Sequence, residues 1–288
     1  MLKKVLVIFS LILVLVAFGA CGGDDDDDAG EGEGEGEGEG EGEGEGEGEG
    51  EGEGEGEMQS VTITGIVTDF QSDDAVEGVE VVVLNNDNGE AYTDIASQTS
   101  DADGKVAFTM DVPAAAEAVG FLCKSIAGET KDTYQVNIKL DATDEVIWSV
   151  SETTYNFAPT LAGIELDSSL GVVAGAVYWM DGAEEVPVAC GIAEAISGDV
   201  CPDTPSGSTL GEVRYFGDGG LPTTIEKQGS INANNGYFLI ANIDLGKILV
   251  CAYSNNMLVG STHIFSKSDS INIGNIYNEE DTNPAACK

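Results

Sequence analysis

From Glu31 to Glu57 the chain alternates glutamate and glycine without interruption, and five aspartates, Asp24 to Asp28, stand just before it. No other feature restricts the fold as strongly, because this stretch cannot join a core. Glycine loses the most backbone entropy on ordering, and neighbouring carboxylates repel one another, so helix, strand and packing are all disfavoured. By composition the segment is expected to be a disordered tether. Residues 24–57 can reach at most about 110 Å when fully extended. A neutral flexible chain of that length averages roughly 30–35 Å, and self-repulsion lengthens it. A calcium-collecting tail is the weaker reading, since scattered carboxylates on a floppy chain form no ordered cage.

What precedes the ribbon gives a tether its purpose. Met1-Leu-Lys-Lys4 is a short basic start, and Val5 to Phe18 is apolar apart from Ser10. That run falls short of the roughly 20 residues a spanning helix needs and fits the hydrophobic region of a secretory signal. Gly19-Ala20-Cys21 follows, a junction that resembles the lipobox of bacterial lipoproteins, with Phe18 where that family usually has an aliphatic residue. The resemblance implies cleavage before Cys21 and acylation, palmitate included, of its thiol and new amine. Residues 1–20 are then the signal peptide and 21–58 the lipidated tether, with acyl chains on Cys21 as the membrane partner. An ordinary signal peptide with a free Cys21 is the alternative. The implied location is the bacterial cell envelope, in the outer membrane, with the periplasmic or outer surface left open.

Outside the leader and ribbon the chain still carries 34 acidic against 9 basic residues, part of a total formal charge of −42. With no Lys/Arg patch to displace phosphate counterions, nucleic acid is excluded as a partner class. Direct binding to anionic headgroups is disfavoured for the same reason, and anchoring falls to the acyl chains.

Gln59 to Lys288 is long enough for one large or two ordinary domains. The hydropathy pattern is β throughout. Tyr134-Gln-Val-Asn-Ile-Lys-Leu140 alternates apolar and polar residues, as do Val61-Thr-Ile-Thr64, Val106-Ala-Phe-Thr-Met110 and Ile271-Asn-Ile273. Turn clusters at Asn85 to Gly89, Asp101 to Gly104 and Asn232 to Gly236 separate them. No apolar run keeps a helical period for three turns, so no helix is expected.

The chain also repeats itself. Gly65-Ile-Val67, Val76-Glu-Gly-Val-Glu-Val-Val-Val83, Asp101-Ala-Asp-Gly104 and Phe121-Leu-Cys-Lys124 recur in order as Gly175-Ala-Val177, Val186 to Ile192, Asn234-Asn-Gly236 and Leu249-Val-Cys-Ala252. The second copy carries an insertion between Ser197 and Lys227. This order resembles the carboxypeptidase regulatory-like domain, a transthyretin-like β-sandwich. The resemblance implies an all-β chain of two tandem antiparallel Ig/transthyretin-like β-sandwiches, at 59–168 and 169–288, the second holding the insertion and disulfides. In that family the module is a folding aid, spacer or binding surface and is not itself catalytic.

Chemistry-bearing residues are few. The single histidine, His263, lies in an apolar stretch, which excludes a histidine-rich zinc site and makes any Ser-His-Asp triad hang on one residue. No nucleophile elbow or phosphate-cradling loop is present. No catalytic, cofactor-binding or metal-binding residue is assigned, and no enzyme activity is expected. Asp101 and Asp103 lack the later ligands of an EF-hand and read as a hairpin turn. Trp179 is either a core filler or a sugar-stacking platform. Tyr215 and Phe216, in the insertion, are the expected contact surface, with Trp179 as a further candidate.

An exported chain meets oxidising conditions, so beyond Cys21 the five cysteines should form two pairs and leave one thiol. Cys123, alone in the first half, is the expected free one. The favoured pairs are Cys190–Cys201 and Cys251–Cys287, with Cys190–Cys251 as the runner-up. The expected function is a non-enzymatic anchored lipoprotein, monomeric, displaying two sandwiches as a spacer, adhesion or protein-interaction surface. The alternative is a glycan-binding lipoprotein for polysaccharide capture, which exposed coplanar aromatics would favour.

Overall fold

The computed structural model describes residues 57–181, 184–188, 191–217, 220–224 and 236–278. The expectations for the signal peptide, Cys21, the ribbon up to residue 56, Cys190 and Cys287 lie outside the described residues. Among the described residues sixteen strands and one helix follow in order: β1 (Met58–Asp69), β2 (Glu80–Asn85), β3 (Gln98–Thr99), β4 (Lys105–Pro113), β5 (Ala118–Cys123), β6 (Thr130–Lys139), β7 (Glu145–Ser151), α1 (Glu152–Leu161), β8 (Gly171–Asp181), β9 (Glu184–Pro187), β10 (Ile192–Ile196), β11 (Glu212–Tyr215), β12 (Tyr237–Ile243), β13 (Gly246–Ser254), β14 (Met257–Ser266), β15 (Ser270–Ile273) and β16 (Ile276–Tyr277).

The repeat read in the sequence exists at the level of hydrogen bonds. In the first half β1 pairs antiparallel with β4, and Gly65 stands opposite Val106; in the second β8 pairs antiparallel with β12, and Gly175 stands opposite Phe238. Val67 N–H donates to the Gly104 carbonyl at 2.7 Å, and Val177 N–H to that of Gly236 at 3.1 Å. Val76 and Val188 then donate back to the Val67 and Val177 carbonyls. Gly104 (φ 74°) and Gly236 (φ 61°) both occupy the left-handed region, and a Cβ there would press on the Val67 or Val177 carbonyl. That is why the turn glycine recurs. The glycine of each Gly-x-Val has another cause, close approach. A Cβ on Gly65 would meet Ile147, and one on Gly175 would meet the Gly274 carbonyl.

Each half has its own apolar cluster. The first includes Ile63, Val81, Phe108, Phe121 and Ile147; the second includes Val177, Tyr215, Phe238, Ile240, Val250 and Ile264. Fully burying one such side chain contributes roughly 1.5–3 kcal/mol. A third cluster combines Val150 and Tyr155 with Val172, Leu239 and Ile271.

Three features depart from the sequence reading. The sheets are not purely antiparallel: β1 and β7 run parallel, and β15 lies parallel between β6 and β8. This makes β15 wholly buried rather than one-sided, and Asn272, at 1% exposure, accepts from Phe265 N–H. Its polar side chain takes up a backbone group instead of facing water.

A helix is also present, although none was expected. α1 starts at Ser151, whose hydroxyl accepts from Thr154 N–H at 3.1 Å, and carries Glu152 in its first turn. Both are standard stabilisers of a helix start. The helix buries only Tyr155 and Pro159, too little apolar surface to print a 3.6-residue period on the sequence.

The disulfide is the third departure. Cys201 is bonded to Cys251, a separation of 50 residues, so neither Cys190–Cys201, Cys251–Cys287 nor Cys190–Cys251 forms. The reason is placement. Cys251 sits mid-strand in β13 opposite Glu194 of β10, under the loop that carries Cys201. Cys123 is a free, buried thiol, as expected, and burial pushes its pKa up to about 12.

Candidate functional site

β8 sends alternate side chains to opposite faces of its sheet. Val173, Val177 and Trp179 join the cluster of the second half, while Val172 and Ala174 face the other way, where α1 packs. β12 does the same, with Phe238 and Ile240 against the first group and Leu239 against the second. On that second face an apolar groove of about 80 Å³ opens between α1, the sheet, Phe216 and the stretch Gly220 to Pro222. Phe70, Tyr155, Phe216, Leu221, Leu239 and Ile271 are among its walls. At its margin Phe157, Leu161 and Leu221 are 49%, 37% and 46% exposed, a concentration of apolar surface on a strongly acidic molecule.

α1 owes its position to contacts of its first turn. Besides capping the helix, Ser151 shares a hydrogen bond with the Thr154 hydroxyl, which donates to Gln71 near the end of β1. Lys131 of β6 reaches Asp269 at 2.8 Å and Glu152 at 3.8 Å, and lies 5.4 Å over the Tyr155 ring. Burial pushes the Tyr155 hydroxyl up to about 12.

Of the three aromatics singled out in the sequence, the groove gathers one. Phe216 lines it and meets Tyr237 edge-on, with ring centres 6.0 Å apart. Tyr215 is no contact residue: it is 2% exposed, and its hydroxyl oxygen accepts from Ala193 N–H at 3.1 Å. Trp179 is half-buried against the core of the second half, and its Nε1 is buried with no hydrogen-bond partner among the described residues.

Three tyrosines not singled out lie together on neighbouring strands. Tyr178 of β8 stacks on Tyr277 of β16 at 5.7 Å and hydrogen-bonds Tyr237 of β12. Tyr277 donates to Glu185 at 3.1 Å. Burial, and then neighbouring charge, raises the pKa of both Tyr178 and Tyr277. The one signal was register, visible only once β16 is known to run beside β8.

The remaining candidates are structural. Asp101 accepts from Asp103 N–H and Lys105 N–H, the side-chain-closed hairpin turn expected of it. His263, on β14, has Asp199 3.9 Å away, and its pKa is lowered by burial first and Lys247 second. Among the described residues no three His, Cys, Asp or Glu side chains converge as metal ligands.

No protein-family description matches this chain, and no curated protein does. Among solved structures it is similar to a streptococcal ancillary pilin, at 13% identity and a TM-score of 0.23, over 76% of this chain and 62% of that one. The Bacillus anthracis TIE protein aligns at 9% identity and 0.23, over 76% and 34%. GBS52, the minor pilin of Streptococcus agalactiae, aligns at 13% identity and 0.23, over 79% and 99%. The chain thus spans less than two thirds of the first two. Likeness of this strength assigns neither a family nor an activity.

Proposed function

We propose that this chain is a non-enzymatic, membrane-anchored envelope protein that presents its β region as a protein-interaction surface. Acyl chains on Cys21 hold it, and the acidic ribbon sets the β region away from the lipid. The observation that carries the reading is the apolar groove beside α1, whose rim leaves Phe157, Leu161 and Leu221 partly in water. Its volume suits one or two apolar side chains, and the 34-to-9 excess of acidic residues favours a partner with basic flanks around that apolar anchor. A photoreactive residue in place of Phe157 in whole cells tests this. One discrete protein adduct, lost on adding Leu221→Asp, is expected; adducts unaffected by Leu221→Asp would overturn the groove reading. Recovery of acylated Cys21 by mass spectrometry of the membrane fraction is the test of anchoring.

The row of Tyr178, Tyr237 and Tyr277 beside Glu185 favours glycan capture as a second reading, because aromatic rings and carboxylates together recognise sugars. Oligosaccharide binding on an array, abolished by Tyr277→Ala and untouched by Leu221→Asp, separates it from the first.

A further inference from the structure

One face of the sheet formed by β10, β13 and β14 lies under a strap of irregular chain. Leu249, Cys251 and Tyr253 of β13 point to this face, and with Ile192, Ile196 and Cys201 they form a small apolar cluster of their own. Glu194 stands opposite Cys251 and His263 opposite Leu249. All three β13 side chains are buried, although they face away from the core of the second half. Their cover leaves β10 after Ile196 and returns at Leu210, whose N–H donates to the Ala195 carbonyl at 2.8 Å.

The two halves of the strap are attached in different ways. On the return, Glu194 accepts from Ser206 N–H, from the Ser206 hydroxyl and from Gly207 N–H, at 2.9, 2.9 and 2.7 Å. Ala195 N–H donates to the Thr209 hydroxyl at 2.9 Å. On the outgoing half, residues 197–205, no hydrogen bond occurs among the described residues. Residues 197–200 and 202–204 are exposed. Asp199 comes no nearer to His263 than 3.9 Å, and its side chain is 87% exposed. What pins this half is Cys201, through its bond to Cys251.

The closed strap also carries a cost. The Tyr253 hydroxyl is buried with no hydrogen-bond partner among the described residues, and burial, then the charges of Glu194 and Asp203, raise its pKa. A buried unpaired hydroxyl is destabilising, and water that reaches it on opening removes the penalty. Lifting residues 197–205 breaks no strand pairing, because β10, β13 and β14 pair with one another without them.

We propose that Cys201–Cys251 is a thiol–disulfide exchange site for an external dithiol, and that its reduction lifts residues 197–205 off the sheet while residues 206–210 stay in place. Access decides which sulfur is attacked. Cys251 is wholly buried, whereas Cys201 is half-buried between the exposed Val200 and Pro202. A thiolate of the dithiol attacks Cys201 Sγ, the Cys201–Cys251 bond breaks, and Cys251 leaves as a thiolate that is then protonated. The second thiol gives up its proton, attacks its own partner sulfur in the mixed disulfide and expels Cys201, which is protonated in turn. The dithiol is oxidised to a disulfide and the two cysteines are reduced to thiols. Leu249 and Tyr253 then come into water. This switch rests on neither the α1 groove nor lipidation.

Native thiol labelling tests it, with the free, buried Cys123 as an internal standard. The full-length protein is reduced with dithiothreitol, labelled with a maleimide in the absence of denaturant, and mapped by peptide mass spectrometry. Cys251 should label roughly tenfold or more faster than Cys123, as expected of a thiol uncovered by local opening. Cys201→Ser, which frees Cys251 without reductant, should label there at the same rate as reduced wild type. Labelling of Cys201 while Cys251 reacts as slowly as Cys123 would mean that the strap stays down. A bond that yields to dithiothreitol only on global unfolding would overturn the exchange site. Cooperative unfolding and the amide protection of Ser206 and Gly207 should survive reduction, and loss of either would overturn a local release.

Discussion

Tyr215 and Phe216 show what a single residue's position decides. Both stood in the insertion and looked equally accessible, yet consecutive residues at a strand end point to opposite faces. Tyr215 fills the core of the second half, and Phe216 lines the groove. Composition could not separate them, because their order on the strand depends on where β11 begins to pair with β12. His263 makes a testable case at this scale. Its folded pKa lies below the ordinary 6.5, so the unfolded chain binds the proton more readily. The stability it contributes is fully present above about 6.5 and is lost as pH falls toward the folded value. The wild-type unfolding midpoint should therefore drop more steeply than that of His263→Gln between pH 7 and the onset of carboxylate titration. Parallel pH profiles of the two proteins would remove histidine from the account.

Among the elements, strands were the most legible. β4 and β1 alternate as written, because each has one face on a core and one in water. β15 misled, since Ile271-Asn-Ile reads as one-sided while the strand is buried on both faces and Asn272 is consumed by hydrogen bonds. α1 was missed because its start is marked by a cap and not by a stripe. Ser151→Ala should cost about 1 kcal/mol in a denaturant titration, and Ser151→Asp should restore most of it. An unchanged Ser151→Ala midpoint would mean that packing of Tyr155 and Pro159 alone holds the helix. The disulfide was illegible for another reason: the partner of Cys251 is chosen by the loop lying over β13, which spacing cannot reveal. Closing a 50-residue loop stabilises by about 4 kcal/mol in the chain-entropy picture. Cys201→Ala with Cys251→Ala should lower stability by a comparable amount, while Cys123→Ala, which only trims a buried thiol, should cost much less. Denaturant midpoints of the two variants decide the order.

At the scale of the whole molecule, the repeated turns of Gly104 and Gly236 were readable because each answers a local backbone demand that a short motif can encode. The insertion of β15 between β6 and β8 was not, since no local residue announces a parallel neighbour so far away in sequence. The ribbon works at this scale alone: on the proposed account it contributes reach, not stability. The most direct measurement compares whole cells carrying the native chain with cells carrying a deletion of residues 30–56, by protease accessibility of the β region and by its unfolding temperature after release. Accessibility should fall and the unfolding temperature should stay the same. Unchanged accessibility, or a lowered unfolding temperature, would contradict the claim that the ribbon is a spacer holding an independently stable β region off the membrane.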